Sequence, residues 1–438
     1  MSHPLAARVT GPVLLPDDDG FADEVAAHNR AVVHTPDVAV GASSVQDVVE
    51  TVSWAAEHGV PVTVLATGHG ARTPVTSGVL LTTHRLGGVT VDPATRVATI
   101  GAGSHWTDVV PVADAHGLAP VAGSSTHVGV VGYLLGGGLG PFARSHGFSS
   151  DRLESLTVVT GAGEVVEASA DQHPDLFWAL RGGQHRLGVV TQVRLGLTAM
   201  PSLYAGSLFF DAEHIETALR GWLAWTASAD PGTTTSAAII GFPPFDAVPP
   251  FLRGKTVLVL RFARPGDEAA GKAAAAPLRA LAPTLADTVG PLPVARSAEI
   301  HNDPTDPGPS WVRGLMLSHA DDDFATAWLG LVGPGTEHPF VAAELRHIAG
   351  ATAVDVPAGS AVAGRGAAFT LGLIGVDPTQ FETTIPAAAS AVAEAVAPWT
   401  AAELNPNFAG TGTPVWDGPT AERLARVRQK YDPAGVFA

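Results

Sequence analysis

At 438 residues, with 46% hydrophobic and 15% charged side chains, the chain can build two globular domains, or one large one, with ample core. Its formal net charge of −17 argues against nucleic acid or an anionic membrane as partner, and the absence of cysteine excludes disulfides, thiolate catalysis and thiolate-bound metals. The N-terminus, MSHPLAARVTGPVLLPDDDG, lacks the basic start and apolar core of a signal peptide, and there is no apolar run of about 18 residues, so a soluble cytoplasmic protein is expected.

Residues 43–58, SSVQDVVETVSWAAEH, predict a helix: Ser44 and Asp47 have capping-box spacing, and Val45, Val48, Val49 and Val52 share a face. Gly59 stops it, and VPVTVL (60–65) reads as a buried strand. GVTV (88–91) and RVATI (96–100) flank a DPAT turn as a hairpin, and HWTDVVPVADAHG (105–117) has helical spacing interrupted by Pro111. A glycine-dense stretch (123–140) precedes a strand pair over 156–169 and a further strand over 187–197. Past Pro201 strand-like runs at 206–210, 255–263 and 311–320 alternate with Ala-rich helices around 267–282 and 386–396. NDPTDPGPS (302–310) is a surface loop, and TAERLARVRQK (420–430) an amphipathic tail helix. This places an α+β domain over residues 1–195, a sheet-and-helix domain over 196–390, and a C-terminal segment, 391–438, that returns to the first domain.

Two stretches stand out chemically. In VTVLATGHGA (62–71) a β-type run ends in small residues with His69 between glycines, either a solvated loop histidine or a group aimed at a ligand on the backbone. In GSSTHVGVVGYLLGGGLG (123–140) successive N–H groups could cradle a pyrophosphate, close packing and turns being the alternative. Neither is a familiar nucleotide frame: GAGSHW (101–106) carries Trp106 where the third fingerprint glycine belongs, and there is no P-loop. GSSTH is no nucleophile elbow, and no His/Asp/Glu grouping has metal-ligand spacing.

His69 and its turn, the 123–140 glycines, DLFWALRGGQHRLGVVTQVRLGL (175–197) and the tail segments NPNFAGTG and KYDPAGVF occur together in one order. Together they resemble the vanillyl-alcohol-oxidase (PCMH) type of flavin-dependent oxidases, nearest the berberine-bridge-enzyme and 6-hydroxy-D-nicotine-oxidase branch. The resemblance covers nearly the whole chain. It implies a two-domain FAD-binding PCMH-type α+β fold with a separate antiparallel-sheet substrate domain flanked by helices. It also implies covalent FAD, bonded through C8α to His69, with Thr67, Gly68, Gly70 and Ala71 beside the link. The second tether of many relatives is a cysteine where Ser125 stands, so only one bond to the chain is possible.

Further cofactor contacts implied are Gly123, Ser124, Ser125, Val128, Gly129, Gly132, Tyr133, Gly138, Gly140, Val190, Asn405 and Asn407. Val128 falls where the family places a residue beside the flavin's oxygen-reactive edge, and valine there goes with oxidases. The family's Y-x-N-Y motif reads NPNF (405–408), which retains Asn407 as a catalytic candidate but replaces both tyrosines by Asn405 and Phe408. In AAELRHIAGATAV (342–354), strand alternation puts Glu344 and Arg346 on one face, and the segment resembles the family's flavin-facing strand. Glu344 is therefore expected to act as base or to hold a substrate amine or hydroxyl, a Glu–Arg pair on a solvated face being the alternative. Arg365 is expected in structural pairing, His127 at the flavin edge, and His185 in a loop. The expected activity is oxidation of a small or mid-sized alcohol, amine or polyketide-like substrate, as in secondary metabolism, with O2 as acceptor. A dehydrogenase of the same fold and a low-turnover flavin-holding protein are the alternatives.

Overall fold

The computed structural model describes residues 3–184, 186–410 and 415–437. His185, Thr411 and Gly412, named above, lie outside them.

The first sheet is built from β1 (Val13–Leu14), β2 (Val38–Gly41), β3 (Val62–Leu65) and β4 (Val79–Thr82), in the order β1-β2-β4-β3. β2, β4 and β3 are parallel, which requires a crossover, and the Val45–His58 helix supplies it. Ser44 Oγ accepts from the Asp47 N–H (3.1 Å), and Gly59, at φ +65°, ends the helix in the left-handed region. The Asp47 carboxylate reaches instead to the backbone N–H groups of Thr10, Gly11 and Ser43, so it ties down the N-terminal segment and does not close a reciprocal box.

The second sheet is antiparallel, in the order β5-β6-β9-β7-β8, from β5 (Val89–Asp92), β6 (Val97–Gly101), β7 (Leu153–Val159), β8 (Val165–Ser169) and β9 (Val189–Gly196). One core runs continuously beneath both sheets, through Val48, Ile100, Trp106, Leu156 and Val193. The Trp106–Asp114 helix tolerates Pro111 within its nine residues.

Residues 203–375 form an eight-stranded antiparallel sheet. Its strands are β10 (Leu203–Asp211), β11 (Thr234–Gly241), β12 (Thr256–Pro265), β13 (Ala286–Asp287), β14 (Gly290–Leu292), β15 (Trp311–Leu317), β16 (Ala342–His347) and β17 (Phe369–Gly375). The order is β13-β10-β12-β11-β16-β17-β15, with β14 also beside β10. Alternation gives one face to Leu208, Ile239, Leu260, Leu345 and Leu371, which pack with the helices Ile215–Thr226, Asp322–Val332 and Thr384–Ala395. The opposite face carries Arg261, Ser236 and Arg346 in one cross-strand row, because Ser236 is the register partner of both arginines.

Two sequence expectations need correction. The glycine-dense stretch is not loop throughout: Val130–Leu135 is a short helix whose valines and leucines are buried. The strand expected over 342–354 ends at His347, since Ala349 and Gly350 adopt φ +66° and +60° and cannot continue a ladder. The C-terminal stretch first runs along the large sheet, Gly314 donating to the Phe408 carbonyl. It then packs the Gly418–Tyr431 helix against Asp175, which accepts from Lys430 Nζ and Tyr431 Oη at 2.7 Å each.

Candidate active site

The His69 loop follows directly from β3. Gly68 sits at φ +70°, where a Cβ would lie 2.6 Å from that of Ala27, so only glycine lets the loop pass this close to its neighbour. His28 and Asn29 pin the loop from outside by donating their N–H groups to the carbonyls of Thr67 and Gly68. The His69 ring is half-buried, stacked on His28 at a centroid distance of 3.5 Å, with Nδ1 3.0 Å from Thr67 Oγ1. Burial, with His28, His105 and His127 adding positive potential, brings its pKa down to about 3. At neutral pH it is therefore an uncharged imidazole whose Nε2 has no partner among the described residues.

The 123–129 segment runs beside this loop. A Cβ on Gly129 would meet the Thr67 side chain at 3.0 Å, and Trp106 and Val130 donate to the carbonyls of Val128 and Ser104. Among the described residues, no protein group accepts the backbone N–H of Gly68, His69 or Gly70, nor those of Ser124 to Gly129. Ser124, Ser125 and Val128 are half-buried, Gly132 is exposed with open space around it, and His127 is exposed. Ala71 is drawn back by Asn29, which donates to its carbonyl, and Val190 is buried in β9.

Three of the implied glycine contacts have a different neighbour. A Cβ on Gly123 would lie 3.0 Å from the Tyr133 ring, one on Gly138 (φ +73°) would overlap it, and one on Gly140 would overlap the Ala122 carbonyl. Gly123 and Gly138 therefore clear space for Tyr133, and Gly140 allows two backbones to meet. Tyr133 is buried edge-on against Trp106, and burial pushes its hydroxyl pKa up. Asn407 donates from Nδ2 to the Tyr133 carbonyl and lies so close to Gly136 that a Cβ there would overlap its amide. This ties the tail to the Val130–Leu135 helix; the side chain expected to act on substrate is spent on backbone. The Asn407 carbonyl accepts from Arg72 Nη2 at 2.9 Å, and the Asn405 Nδ2 is buried without a partner.

On the polar face of the large sheet, Glu344 accepts at Oε1 from Ser236 Oγ and Arg261 Nη1, and at Oε2 from Arg346 Nε, each at 2.7 Å. His301 Nε2 lies 3.6 Å from Oε1. Burial alone would raise the Glu344 carboxyl, but Arg346 and Arg261 override it and hold the pKa well below the usual range. This corrects the expected role as base: a carboxylate with both oxygens engaged by guanidinium groups is a weak proton acceptor. Burial, then Arg261, lowers the His301 pKa, leaving a neutral ring with neither nitrogen hydrogen-bonded among the described residues. Arg346 lies over the Phe408 ring at 5.3 Å. Arg365 pairs with Asp151 and Asp355, a structural tie.

His28, Ser236, Arg261 and His301 were not singled out from the sequence. Arg261, alone among apolar residues in VLVLRFA (257–263), carried a readable signal as a charge in a central strand. His28 and His301 sit in irregular segments with no pattern to mark them.

Comparison with known proteins supports FAD as the cofactor. Residues 36–169 match the family described as FAD binding domain. Over these residues the chain is similar to FAD-binding domains. The matched residues hold the His69 loop and the 123–140 stretch. An FAD-dependent monooxygenase of Penicillium roqueforti is 35% identical over 171 residues, covering 38% of this chain and 33% of that protein. The (R)-6-hydroxynicotine oxidase of Paenarthrobacter nicotinovorans is 34% identical over 205 residues, 46% of this chain and 45% of that protein. The chain thus spans less than half the length of these curated relatives. Among solved structures, 6-hydroxy-D-nicotine oxidase from Arthrobacter nicotinovorans superposes with a TM-score of 0.85 at 23% identity, covering 100% of this chain and 98% of that one. A chitooligosaccharide oxidase gives 0.84 at 19%, covering 99% and 97%. The fold is that of the PCMH-type FAD-binding oxidases, with relatives in the 6-hydroxy-D-nicotine-oxidase and berberine-bridge-enzyme-like branch.

The residues present fit FAD. The two runs of unengaged N–H groups, 68–70 and 124–129, suit a pyrophosphate, and the open surface at Gly132 and the Asn405 Nδ2, unpartnered among the described residues, suit the ring system and its polar edge. Among the described residues no group of three or more His, Asp or Glu side chains could hold a metal ion, and no helix is long and apolar enough to cross a membrane.

Proposed function

We propose that this protein is an FAD-dependent oxidase with its flavin tethered through His69, oxidising a small or mid-sized alcohol, amine or polyketide-like substrate. The observation that carries the reading is the state of His69: an uncharged imidazole at a glycine turn, held by Thr67 and His28 with Nε2 free, beside unengaged backbone donors. A lone pair is what bonding to an electrophilic carbon requires, and a protonated ring would have none to give. In this reading residues 1–195 and the 391–438 segment hold the cofactor, and residues 196–390 shape the substrate site.

When bound, FAD supplies a two-electron acceptor for substrate hydride and passes the electrons to O2, giving hydrogen peroxide. The chain's own task is to orient the substrate and take its proton. His301 is suited to the second task because it is neutral, buried and unengaged, and because Glu344 at 3.6 Å would stabilise the imidazolium. Glu344 acts in this account as a positioning residue, fixing Arg261 and Arg346. Val128, small and half-buried on the 123–129 segment, supports access of O2.

The test is a substrate panel of alcohols, amines and phenolic ketones applied to the purified protein without air, followed by admission of air. Substrate-dependent loss of the visible flavin absorbance with rapid return in air, and one peroxide per turnover, is the expected result. Loss without return in air would make the protein a dehydrogenase. No loss with any class would leave it a flavin carrier.

A further inference from the structure

The polar face of the large sheet holds more positive than negative charge, and its donors are not used up. We infer that this face is a carboxylate-binding site, so that the substrate of the proposed oxidase carries a carboxylate group; the substrate role rests on that proposal. Arg261 and Arg346 flank Ser236 in one row, with their side chains 8% and 17% exposed. Glu344 is the single carboxylate paired with them. Asp303 acts on Arg346 at longer range, with no ion pair between them within 4 Å. His301, being neutral, adds no charge.

Three polar atoms here are buried without a partner among the described residues: Arg261 Nε and both ring nitrogens of His301. Leaving such atoms dry and unpaired is costly, so a native site supplies them with water or ligand. A small cavity opens at this place, lined by Ser236, Arg261, His301 and Arg346 and, from the glycine-dense stretch, by Leu139 and Pro141. Each guanidinium keeps N–H groups free among the described residues after pairing with Glu344, and a planar carboxylate accepts from such forks on both oxygens. A neutral hydroxyl or amide would neutralise nothing and would leave the surplus cation buried. Apolar Leu139, Pro141 and Ile300 beside the charged row fit the carbon part of the same ligand.

The experiment is calorimetric titration of the full-length protein with benzoate and with benzamide, a neutral molecule of nearly the same shape, at fixed ionic strength. The expected result is that benzoate binds at least tenfold more tightly, and that Arg346→Gln abolishes the preference while Arg346→Lys, which keeps the charge, retains part of it. Circular dichroism of each variant separates a lost site from a lost fold, and the wild-type comparison needs no variant. Equal affinity for the two probes, or no benzoate binding to folded protein, overturns the inference. Calorimetry reads binding whether or not flavin is present, so a colourless protein that prefers benzoate through Arg346 overturns the oxidase reading and leaves the carboxylate site standing. A yellow protein with no preference does the reverse.

Discussion

Glu344 shows how burial and partners decide what a side chain can do. Strand alternation in AELRH placed Glu344 and Arg346 on one face, and that much was legible from sequence; the three further groups on the carboxylate come from 108, 83 and 43 residues away, which local spacing cannot show. The same distance hid His28, whose ring stacks on His69 from 41 residues upstream. Removing the Glu344 charge leaves two guanidinium groups with no counter-charge in a closed space. Glu344→Gln is therefore expected to lower unfolding free energy by about 3 kcal/mol or more, read by denaturant titration. If Glu344 were instead the base, the same variant would also lose the acidic limb of the rate–pH profile.

At the scale of elements, periodicity and turn signals recovered the Val45–His58 helix, the β5–β6 and β7–β8 hairpins and strands β10, β12, β15 and β16 of the third sheet, but not β11 or β17. The glycine-dense stretch was harder, since composition cannot say which glycine clears space for protein and which for ligand. The structure separates them, and two substitutions test the separation. Gly138→Ala forces a side chain into φ +73° and into the Tyr133 ring, and should cost about 2 kcal/mol or more, seen as a lowered unfolding midpoint. Gly132→Ala meets open space within the Val130–Leu135 helix and should stabilise the cofactor-free protein by about 0.5–1 kcal/mol. If FAD lies against that surface, the same variant should retain less flavin after gel filtration than wild type. Equal retention would remove Gly132 from the cofactor's contacts.

The whole molecule joins its two halves through buried groups whose charge state matters. Arg144, next to the glycine-dense stretch, donates to the carbonyls of Thr233 and Ile348 and to His347 Nε2 at 2.8 Å. Burial, then Arg144, brings His347 to about 3, as burial and the neighbouring histidines do for His69. The folded value of His347, and that of His69 in protein without bonded flavin, lies below the unfolded value of 6.5, so the folded state binds fewer protons. This contribution is intact above pH 6.5 and is lost progressively as pH falls from 6.5 toward 3. Glu344, depressed below 4.5, adds a loss only beneath that value. The unfolding midpoint should therefore begin to fall below pH 6.5, and His347→Gln, which keeps an acceptor for Arg144 but cannot be protonated, should flatten the fall. A wild-type midpoint flat from pH 7 to 5 would contradict the assignment.

The claim on which the functional reading rests is that His69 carries the cofactor. Its most direct test is acid precipitation of the purified protein beside His69→Ala, with flavin absorbance read in pellet and supernatant. The account predicts a yellow wild-type pellet that survives washing and denaturant, and a His69→Ala pellet from which the colour washes out. Colour that washes out of both would keep the FAD-binding domain and remove the tether. Colour retained equally in both would place the link on another residue and contradict the account.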